Sequence, residues 1–254
     1  LIHGGGWSGG SKEVRIQQFA NIPRLLEAGI SAVSINYSLI ERNPKHSNSD
    51  LNTKKNPPVH LPLTDIARAL QFVRSRSNDW NVDKKRIGAA GASAGGCSSL
   101  WLAFRDDMAE PNSEDPVERE STRVTCAVGY LAQTTLDPKQ MKEWIPNSNY
   151  GGHAFGLPNF DAFLAARDKI LPWIQLYSPY QNVSKDDPPI YLQYGKPPNP
   201  GVLDRDPTHS ATFGIKLQDH CKTIGVACEL KYPGAKDVVH KDATTFLIDK
   251  LKSD

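Results

Sequence analysis

The short segment 91–95, Gly-Ala-Ser-Ala-Gly, has the spacing of a reactive serine turn. It joins a β-rich run at 86–90 to a helical pattern that begins at Ala94. Small residues on each side of Ser93 permit a strained strand-to-helix turn, which lifts the serine hydroxyl above the edge of a sheet. The N–H of Ala94 would lie at the positive end of the helix, where it stabilises a developing oxyanion. This context predicts a nucleophile rather than an ordinary helix start built from small residues.

A second glycine-rich motif, His-Gly-Gly-Gly-Trp at 3–7, follows two apolar residues that fit the end of a strand. Its Gly-x-Gly-x-x-Gly spacing matches a dinucleotide fingerprint, but the next β-rich run ends in Asn36 rather than in the acidic residue that binds ribose. A phosphate loop does not fit, because residues 10–12 read Gly-Ser-Lys. An oxyanion loop, with the N–H groups of Gly5 and Gly6 facing the reacting oxygen, and a glycine turn without function remain as interpretations.

Composition and charge describe an ordinary globular chain. The 254 residues are 39% apolar and 23% charged, and their net charge of +2 gives no support for a nucleic-acid or polybasic membrane-surface role. No apolar run approaches the roughly 20 residues of a membrane span, so a soluble protein is expected. The four cysteines lack the C-x-x-C spacing of zinc sites, and Cys97 and Cys126 are predicted to be buried apolar residues. The sequence does not specify the compartment, and export remains open.

The chain alternates β-rich runs with helical patterns, which predicts a mostly parallel α/β sheet with helices on both faces. The predicted strands are 30–36, 86–91, 124–131, 189–195 and 226–232, and the predicted helices are 14–28, 63–76, 94–104, 209–224 and 243–251. Residues 133–185, rich in aromatic side chains, read as a lid-like insertion over one end of the sheet or as a crossover helix with long loops, and 160–170 is helical in pattern. Residues 41–59 read as a polar surface loop, and one domain over 1–254 is predicted.

These motifs together resemble the α/β-hydrolase fold, in its serine esterase and lipase branch. Further similarity comes from Asn36-Tyr37 after a strand and from Asp65 and Arg74 on the helix before the serine turn. The single tryptophan after the glycines is most similar to bacterial carboxylesterases related to acetyl-xylan and feruloyl esterases. The resemblance implies hydrolysis of carboxylic esters without a metal or an organic cofactor. It also implies sheet-edge strands ahead of the oxyanion loop, so we expect the first strands of the fold to be missing from this sequence.

His240 is the predicted catalytic base. In this fold the triad residues follow the chain order serine, acid, histidine, and the histidine lies on a loop after the last strand. His240 follows the last predicted strand and precedes the terminal helix. Its imidazole would take the Ser93 proton and return it to the leaving alcohol. The other histidines fit less well, and His209 is assigned to the helix before the last strand.

The acid is less clear from the sequence. The resemblance places an aspartate a few residues after Gly195, but residues 196–201 contain no carboxylate. The next candidates are Asp204 and Asp206, and Asp206 is favoured because it lies nearest to the start of the following helix. A helix cap at Asp206, a catalytic role for Asp204 and a triad with a weakened or missing acid all stay open.

The sequence therefore predicts a serine carboxylesterase that works through an acyl-enzyme, with Ser93 as the nucleophile, His240 as the base and Asp206 as the acid. Trp7 and the aromatic residues of 133–185 are candidate substrate contacts, although core packing is the simpler role for most of them. Two alternatives are an oligopeptidase-like serine peptidase and a catalytically impaired hydrolase domain that serves as a binding module. The expected substrate is a small-molecule or carbohydrate-linked ester.

Overall fold

A computed structural model describes residues 1–13, 20–42 and 55–253. Within these ranges the β-strands are β1 (Gly88–Ala92), β2 (Cys126–Tyr130), β3 (Ile190–Gln193) and β4 (Cys228–Lys231). The α-helices are α1 (Ile22–Glu27), α2 (His60–Ser75), α3 (Ala94–Phe104), α4 (Pro138–Trp144), α5 (Phe160–Ala166), α6 (Leu171–Tyr177), α7 (Pro179–Asn182), α8 (Ala211–Ile224) and α9 (Ala243–Lys252), with a 3₁₀ helix at Gly152–Phe155. In the part of the chain described, no helix is long and apolar enough to cross a bilayer.

The strands form one parallel sheet in the order β1-β2-β3-β4, as the alternation of β-rich and helical runs predicts. Because side chains alternate along a strand, β1, β2 and β3 each bury residues on both faces. One face contributes Ala127, Ile190 and Leu192 to a large core, and the other contributes Val128 and Tyr191 to a smaller core. The larger core also contains α2, α3 and α8, and the smaller core contains α9. The predicted α/β architecture is thus confirmed.

The predicted strand at 30–36 is wrong as a regular strand. The structure has only isolated parallel bridges here, from Ile2 to Ile35 on one side and to Gly91 on the other. These bridges place residue 2 between the segment around residue 35 and β1. The N-terminal glycine-rich loop therefore leaves the same sheet edge as the serine turn.

The helical predictions agree with the structure except near some ends. Helix α3 has the predicted bounds, and α2 begins three residues earlier than predicted. Of the predicted helix 14–28, the structure describes a helix only over Ile22–Glu27, and residues 14–19 lie outside the described residues. The predicted loop 41–59 also lies largely outside them. Helix α8 begins at Ala211, because Ser210 accepts a hydrogen bond from the Thr212 N–H and caps it.

Residues 133–185 contain short helices rather than one crossover helix. The buried carboxylate of Asp137 caps α4 and accepts hydrogen bonds from Arg167, which follows α5. Most aromatic residues of this segment are buried in the larger core, among them Phe155, Phe163 and Tyr177. The segment therefore packs into the larger core as several short helices rather than as the single crossover helix of the alternative interpretation, and the lid-like role stays a prediction.

The carboxyl ends of the parallel strands gather the chemically interesting residues at one edge of the sheet. Ser93 follows β1, Gln133 comes three residues after β2, and residues 194–209 form the long loop after β3. Ligands of open α/β sheets bind at this edge.

We predict that Gly95→Ala destabilises the protein strongly. A Cβ at Gly95 would lie 2.2 Å from the Ile2 carbonyl oxygen and 2.5 Å from the His3 carbonyl oxygen. The helix propensity of alanine offers about 1 kcal/mol in return, and overpacking against backbone costs roughly 1–3 kcal/mol or more. We expect the free energy of unfolding in urea to fall by about 2 kcal/mol. Gly195→Ala, whose Cβ would meet nothing within 4 Å, is the control and should change it by less than about 0.5 kcal/mol. Equal effects would contradict the close approach.

Candidate active site

Ser93 occupies a strained turn between β1 and α3. Its φ of 53° and ψ of −122° lie in a region that side-chain-bearing residues rarely adopt, at a cost of roughly 1–3 kcal/mol. Backbone hydrogen bonds hold the turn: the Ser93 N–H donates to the Tyr130 carbonyl at 2.8 Å, and the Cys97 N–H donates to the Ser93 carbonyl at 2.9 Å. The conformation agrees with the predicted nucleophile turn, and it places the half-buried side chain at the start of α3.

The Ser93 hydroxyl contacts His209, which in turn contacts Asp206. Ser93 Oγ lies 3.0 Å from His209 Nε2, and His209 Nδ1 lies 2.9 Å from Asp206 Oδ2. Because the carboxylate can only accept, Nδ1–H of His209 donates to Asp206. In that tautomer Nε2 carries the lone pair and accepts a hydrogen bond from the Ser93 hydroxyl. This is the tautomer that a general base needs.

The loop that carries Asp206 and His209 is held by three polar side chains. Asp204 Oδ1 accepts from the Asp206 N–H at 3.0 Å, and the amide of Asn147 both donates to the Asp204 carbonyl and accepts from its N–H. The buried Gln133 donates to the Thr208 carbonyl at 2.6 Å. Asp204 therefore supports the loop, while Asp206 faces the histidine. Asp206 is not the helix cap, since Ser210 fills that position.

The carbonyl groups of residues 3–7 all accept hydrogen bonds from outside the predicted hole. The Tyr37 hydroxyl donates to the His3 carbonyl, and burial lowers the pKa of His3, so its neutral ring donates through Nδ1 to the Gly4 carbonyl. The remaining donors are the Ser8 N–H to Gly5 at 3.1 Å, His153 Nε2 to Gly6 at 2.9 Å and the Ile40 N–H to Trp7 at 2.8 Å. These bonds fix the direction of each peptide group in the loop.

The glycine-rich loop and the start of α3 also present backbone N–H groups. Among the described residues, the N–H groups of Gly5, Gly6 and Ala94 have no hydrogen-bond acceptor. Gly5 has a φ of 102°, and a Cβ there would lie 2.2 Å from the Gly9 carbonyl oxygen, so only glycine fits. The loop lies against the serine turn, because a Cβ on Gly4 would be 3.4 Å from Ser93 Cβ. The arrangement offers unpaired donors beside the Ser93 side chain, which is the chemistry of an oxyanion hole.

A family model described as BD-FAE matches residues 1–199, more than three quarters of the sequence. The chain belongs to the BD-FAE family. The matched region contains the glycine-rich loop and Ser93, and it ends before Asp206 and His209. The family match therefore covers the nucleophile side of the site, and the acid and base of this BD-FAE chain have to be assigned from its own geometry.

One curated protein is similar to most of this chain. A probable carboxylic ester hydrolase, LipM of Mycobacterium tuberculosis, is 26% identical over 200 residues, which are 77% of this chain and 39% of that protein. The BD-FAE chain thus spans about two fifths of the length of this curated relative.

Two solved structures are similar over most of the chain. The acetyl ester-xyloside bifunctional hydrolase of Caldicellulosiruptor lactoaceticus has a TM-score of 0.61 at 23% identity and covers 91% of this chain and 70% of its own. Esterase 2 of Thermogutta terrifontis, phosphorylated by paraoxon, has a TM-score of 0.60 at 18% identity and covers 97% of this chain and 76% of its own. These similarities establish the α/β-hydrolase fold of the BD-FAE chain, as its motifs imply.

The structure departs from the sequence prediction at His240. Its ring Nδ1 lies 2.6 Å from Glu229 Oε1, and its ring Nε2 lies 3.3 Å from Asp249 Oδ2. The backbone N–H of His240 donates to Glu229 Oε2. The ring is buried and packs edge-on against Phe246 of α9. His240 therefore joins β4 to α9, and His209 occupies the position beside Ser93 that the prediction gave to His240.

The sequence contains a signal for His209 that the prediction missed. Asp206 and His209 are three residues apart on the loop after β3, directly before the cap Ser210. Placing His209 inside the helix removed it from consideration, although it still satisfies the chain order of serine, acid and histidine.

The predicted substrate contact of Trp7 is not supported. Its side chain is 0% exposed, and its Nε1–H donates to Ser98 Oγ at 2.9 Å. The Ser98 hydroxyl donates in turn to the Ala94 carbonyl at 2.8 Å. Trp7 thus links the glycine-rich loop to the first turn of α3.

Within the described ranges of the BD-FAE chain, no group of three or more His, Cys, Asp or Glu side chains could hold a metal ion.

We predict that His240→Gln lowers the free energy of unfolding by about 2 kcal/mol, because the largely buried Glu229 carboxylate loses its imidazole partner and keeps the bond from the backbone N–H of residue 240. A double-mutant cycle with Glu229→Gln in urea unfolding should give a coupling above about 1 kcal/mol. Additive effects of the two substitutions would contradict the assigned contact.

Proposed function

We propose that this chain is a carboxylic ester hydrolase in which Ser93, His209 and Asp206 form the catalytic triad and an acyl-enzyme is the intermediate. The observation that carries the proposal is the continuous hydrogen-bond path from Ser93 Oγ through His209 to Asp206. This assignment keeps Ser93 and Asp206 from the sequence and replaces His240 by His209.

The proposed reaction begins with attack of Ser93 Oγ on the ester carbonyl carbon. The hydroxyl proton passes to His209 Nε2, and the resulting imidazolium is stabilised by Asp206. When the tetrahedral intermediate collapses, Nε2–H gives its proton to the leaving alcohol, and the acyl group stays on Ser93. A water molecule then attacks the acyl-enzyme, passes its proton to His209 and releases the carboxylic acid.

The oxyanion of each tetrahedral intermediate is assigned to the N–H groups of Gly5, Gly6 and Ala94. This assignment is supported because these N–H groups have no hydrogen-bond acceptor within the described residues, whereas the carbonyl groups of residues 3–7 all accept hydrogen bonds. Preorganised donors of this kind stabilise the transition state more than the ground state. Ala94 adds the positive end of the eleven-residue helix α3.

For the substrate, we propose acetyl esters of small molecules or carbohydrates. Support comes from the acetyl ester-xyloside hydrolase among the structural relatives and from the carboxylic ester hydrolase among the sequence relatives. The peptidase and the inactive binding module stay as rivals, and both make different predictions for the experiments below.

The first test compares Ser93→Ala, His209→Gln and His240→Gln in the hydrolysis of p-nitrophenyl acetate and in labelling by a fluorophosphonate. We expect Ser93→Ala to lose both activities and His209→Gln to lower kcat by about 10²- to 10⁴-fold, since it removes the general base. His240→Gln should stay within about threefold of the wild type at a temperature where circular dichroism shows it folded. Loss of activity in His240→Gln together with activity in His209→Gln would contradict the assignment.

The second test compares an acetylated xylo-oligosaccharide with an aminoacyl-p-nitroanilide. We expect acetate release from the oligosaccharide and no measurable cleavage of the anilide, because the proposed substrate is an ester. Preferred cleavage of the anilide would support the peptidase. Binding of the oligosaccharide without hydrolysis, and without labelling of Ser93, would support the binding module.

A further inference from the structure

The glycine-rich loop has one hydrogen-bond donor that comes from residues 133–185. His153, in the 3₁₀ helix, places Nε2 2.9 Å from the Gly6 carbonyl oxygen, although the two residues are 147 positions apart. The other carbonyls of residues 3–7 are bound by the loop itself or by residues 37 and 40. The contact therefore joins the helical layer at 133–185 to the middle of the loop.

The protonation of His153 follows from its partner. The Gly6 carbonyl can only accept, so Nε2 carries the proton. Burial lowers the pKa of His153, and the ring is therefore neutral at neutral pH with its proton on Nε2. Tyr150 packs edge-on against the ring at a centroid distance of 5.0 Å, and Trp7 lies 6.3 Å from it. These two aromatic rings pack beside the imidazole and restrict its orientation.

The position of Gly6 is where such a bond matters. Gly5, Gly6 and Trp7 have φ values of 102°, 62° and 57°, so three successive residues are left-handed. For Trp7 this conformation is unfavourable and persists only while surrounding contacts impose it. The Gly6 carbonyl belongs to the peptide group between Gly6 and Trp7, and the Gly6 N–H belongs to the preceding peptide group, which is joined to it at the Gly6 Cα. A bond that holds the Gly6 carbonyl therefore restricts the backbone rotation at Gly6 that relates the two groups.

We propose that His153 is a positioning residue for the oxyanion hole, acting through the Gly6 carbonyl. The inference rests on the proposed function, because it assigns the support of the same hole. His153 contacts neither Ser93 nor the substrate in this account. His153 holds the peptide group between Gly6 and Trp7. The adjacent peptide group carries the Gly6 N–H, which must point at the substrate oxygen that becomes negatively charged in the tetrahedral intermediate.

The effect of removing this bond should be confined to the chemical step. Donors of an oxyanion hole interact with the transition state, so a misplaced hole lowers kcat and leaves KM nearly unchanged. A misplacement of about 1 Å costs up to 10²-fold in rate. We therefore expect a loss of about 10- to 100-fold in kcat.

The test uses three variants at one position. Gln places an amide N–H where the imidazole has Nε2–H, Asn places it too short to reach Gly6, and Phe keeps the ring without a donor. We expect His153→Asn and His153→Phe to lower kcat for an aryl acetate about 10- to 100-fold with KM within about twofold, and His153→Gln to recover most of the loss. If the Phe variant does not fold, the Asn and Gln pair carries the comparison.

A thionoester, with C=S in place of C=O, separates positioning from general damage to the site. Its sulfur anion accepts hydrogen bonds weakly, so the hole contributes little to its hydrolysis. The Asn variant should therefore lose much less activity on the thionoester than on the oxygen ester. Equal losses on both substrates, or wild-type kcat in the Asn variant, would overturn the role of His153. A wild-type protein that neither hydrolyses the ester nor reacts with a fluorophosphonate would instead overturn the proposed function itself.

Discussion

The site depends on the close packing of the serine turn against residues 2–4. Ser93 is held in a strained conformation by its backbone bonds to β2 and α3, and Gly95 lets the Ile2 and His3 carbonyls approach where any side chain would collide. This contact fixes the spacing between the nucleophile and the glycine-rich loop. The acid, the base and the residue that supports the loop are then placed around these two packed segments.

Two further segments contact the serine turn or the glycine-rich loop. The loop after β3 carries Asp206 and His209, and it is anchored by Asn147 and Gln133, which both follow β2. The 3₁₀ helix at Gly152–Phe155 also follows β2, and its His153 donates a hydrogen bond to the Gly6 carbonyl. Residues 133–185 are thus more than a cover over the sheet, because they touch both the acid loop and the glycine-rich loop.

Much of this arrangement could be predicted from the sequence. The serine turn and helix α3 were predictable because small residues between a strand and a helix have few other uses, and the parallel sheet followed from buried, continuous apolar runs. The base could not be predicted from the expected position of the histidine on the loop after the last strand. The histidine at that position, His240, is bound by Glu229 and Asp249, and these tertiary contacts are not visible in the sequence. A histidine two residues ahead of a helix falls within the uncertainty of helix ends, so only the cap at Ser210 places His209 in the loop. Trp7 was misassigned because its buried partner, Ser98, is distant in sequence.

The central claim is that His209, rather than His240, serves Ser93. The most direct measurement is a crystal structure of the protein after reaction with paraoxon. The account predicts a diethylphosphoryl group on Ser93 Oγ with its phosphoryl oxygen within about 3 Å of the Gly6 and Ala94 N–H groups. It also predicts His209 Nε2 beside the Ser93 Oγ atom and His240 still bound to Glu229. An adduct faced by His240, with His209 turned away from Ser93, would contradict the account.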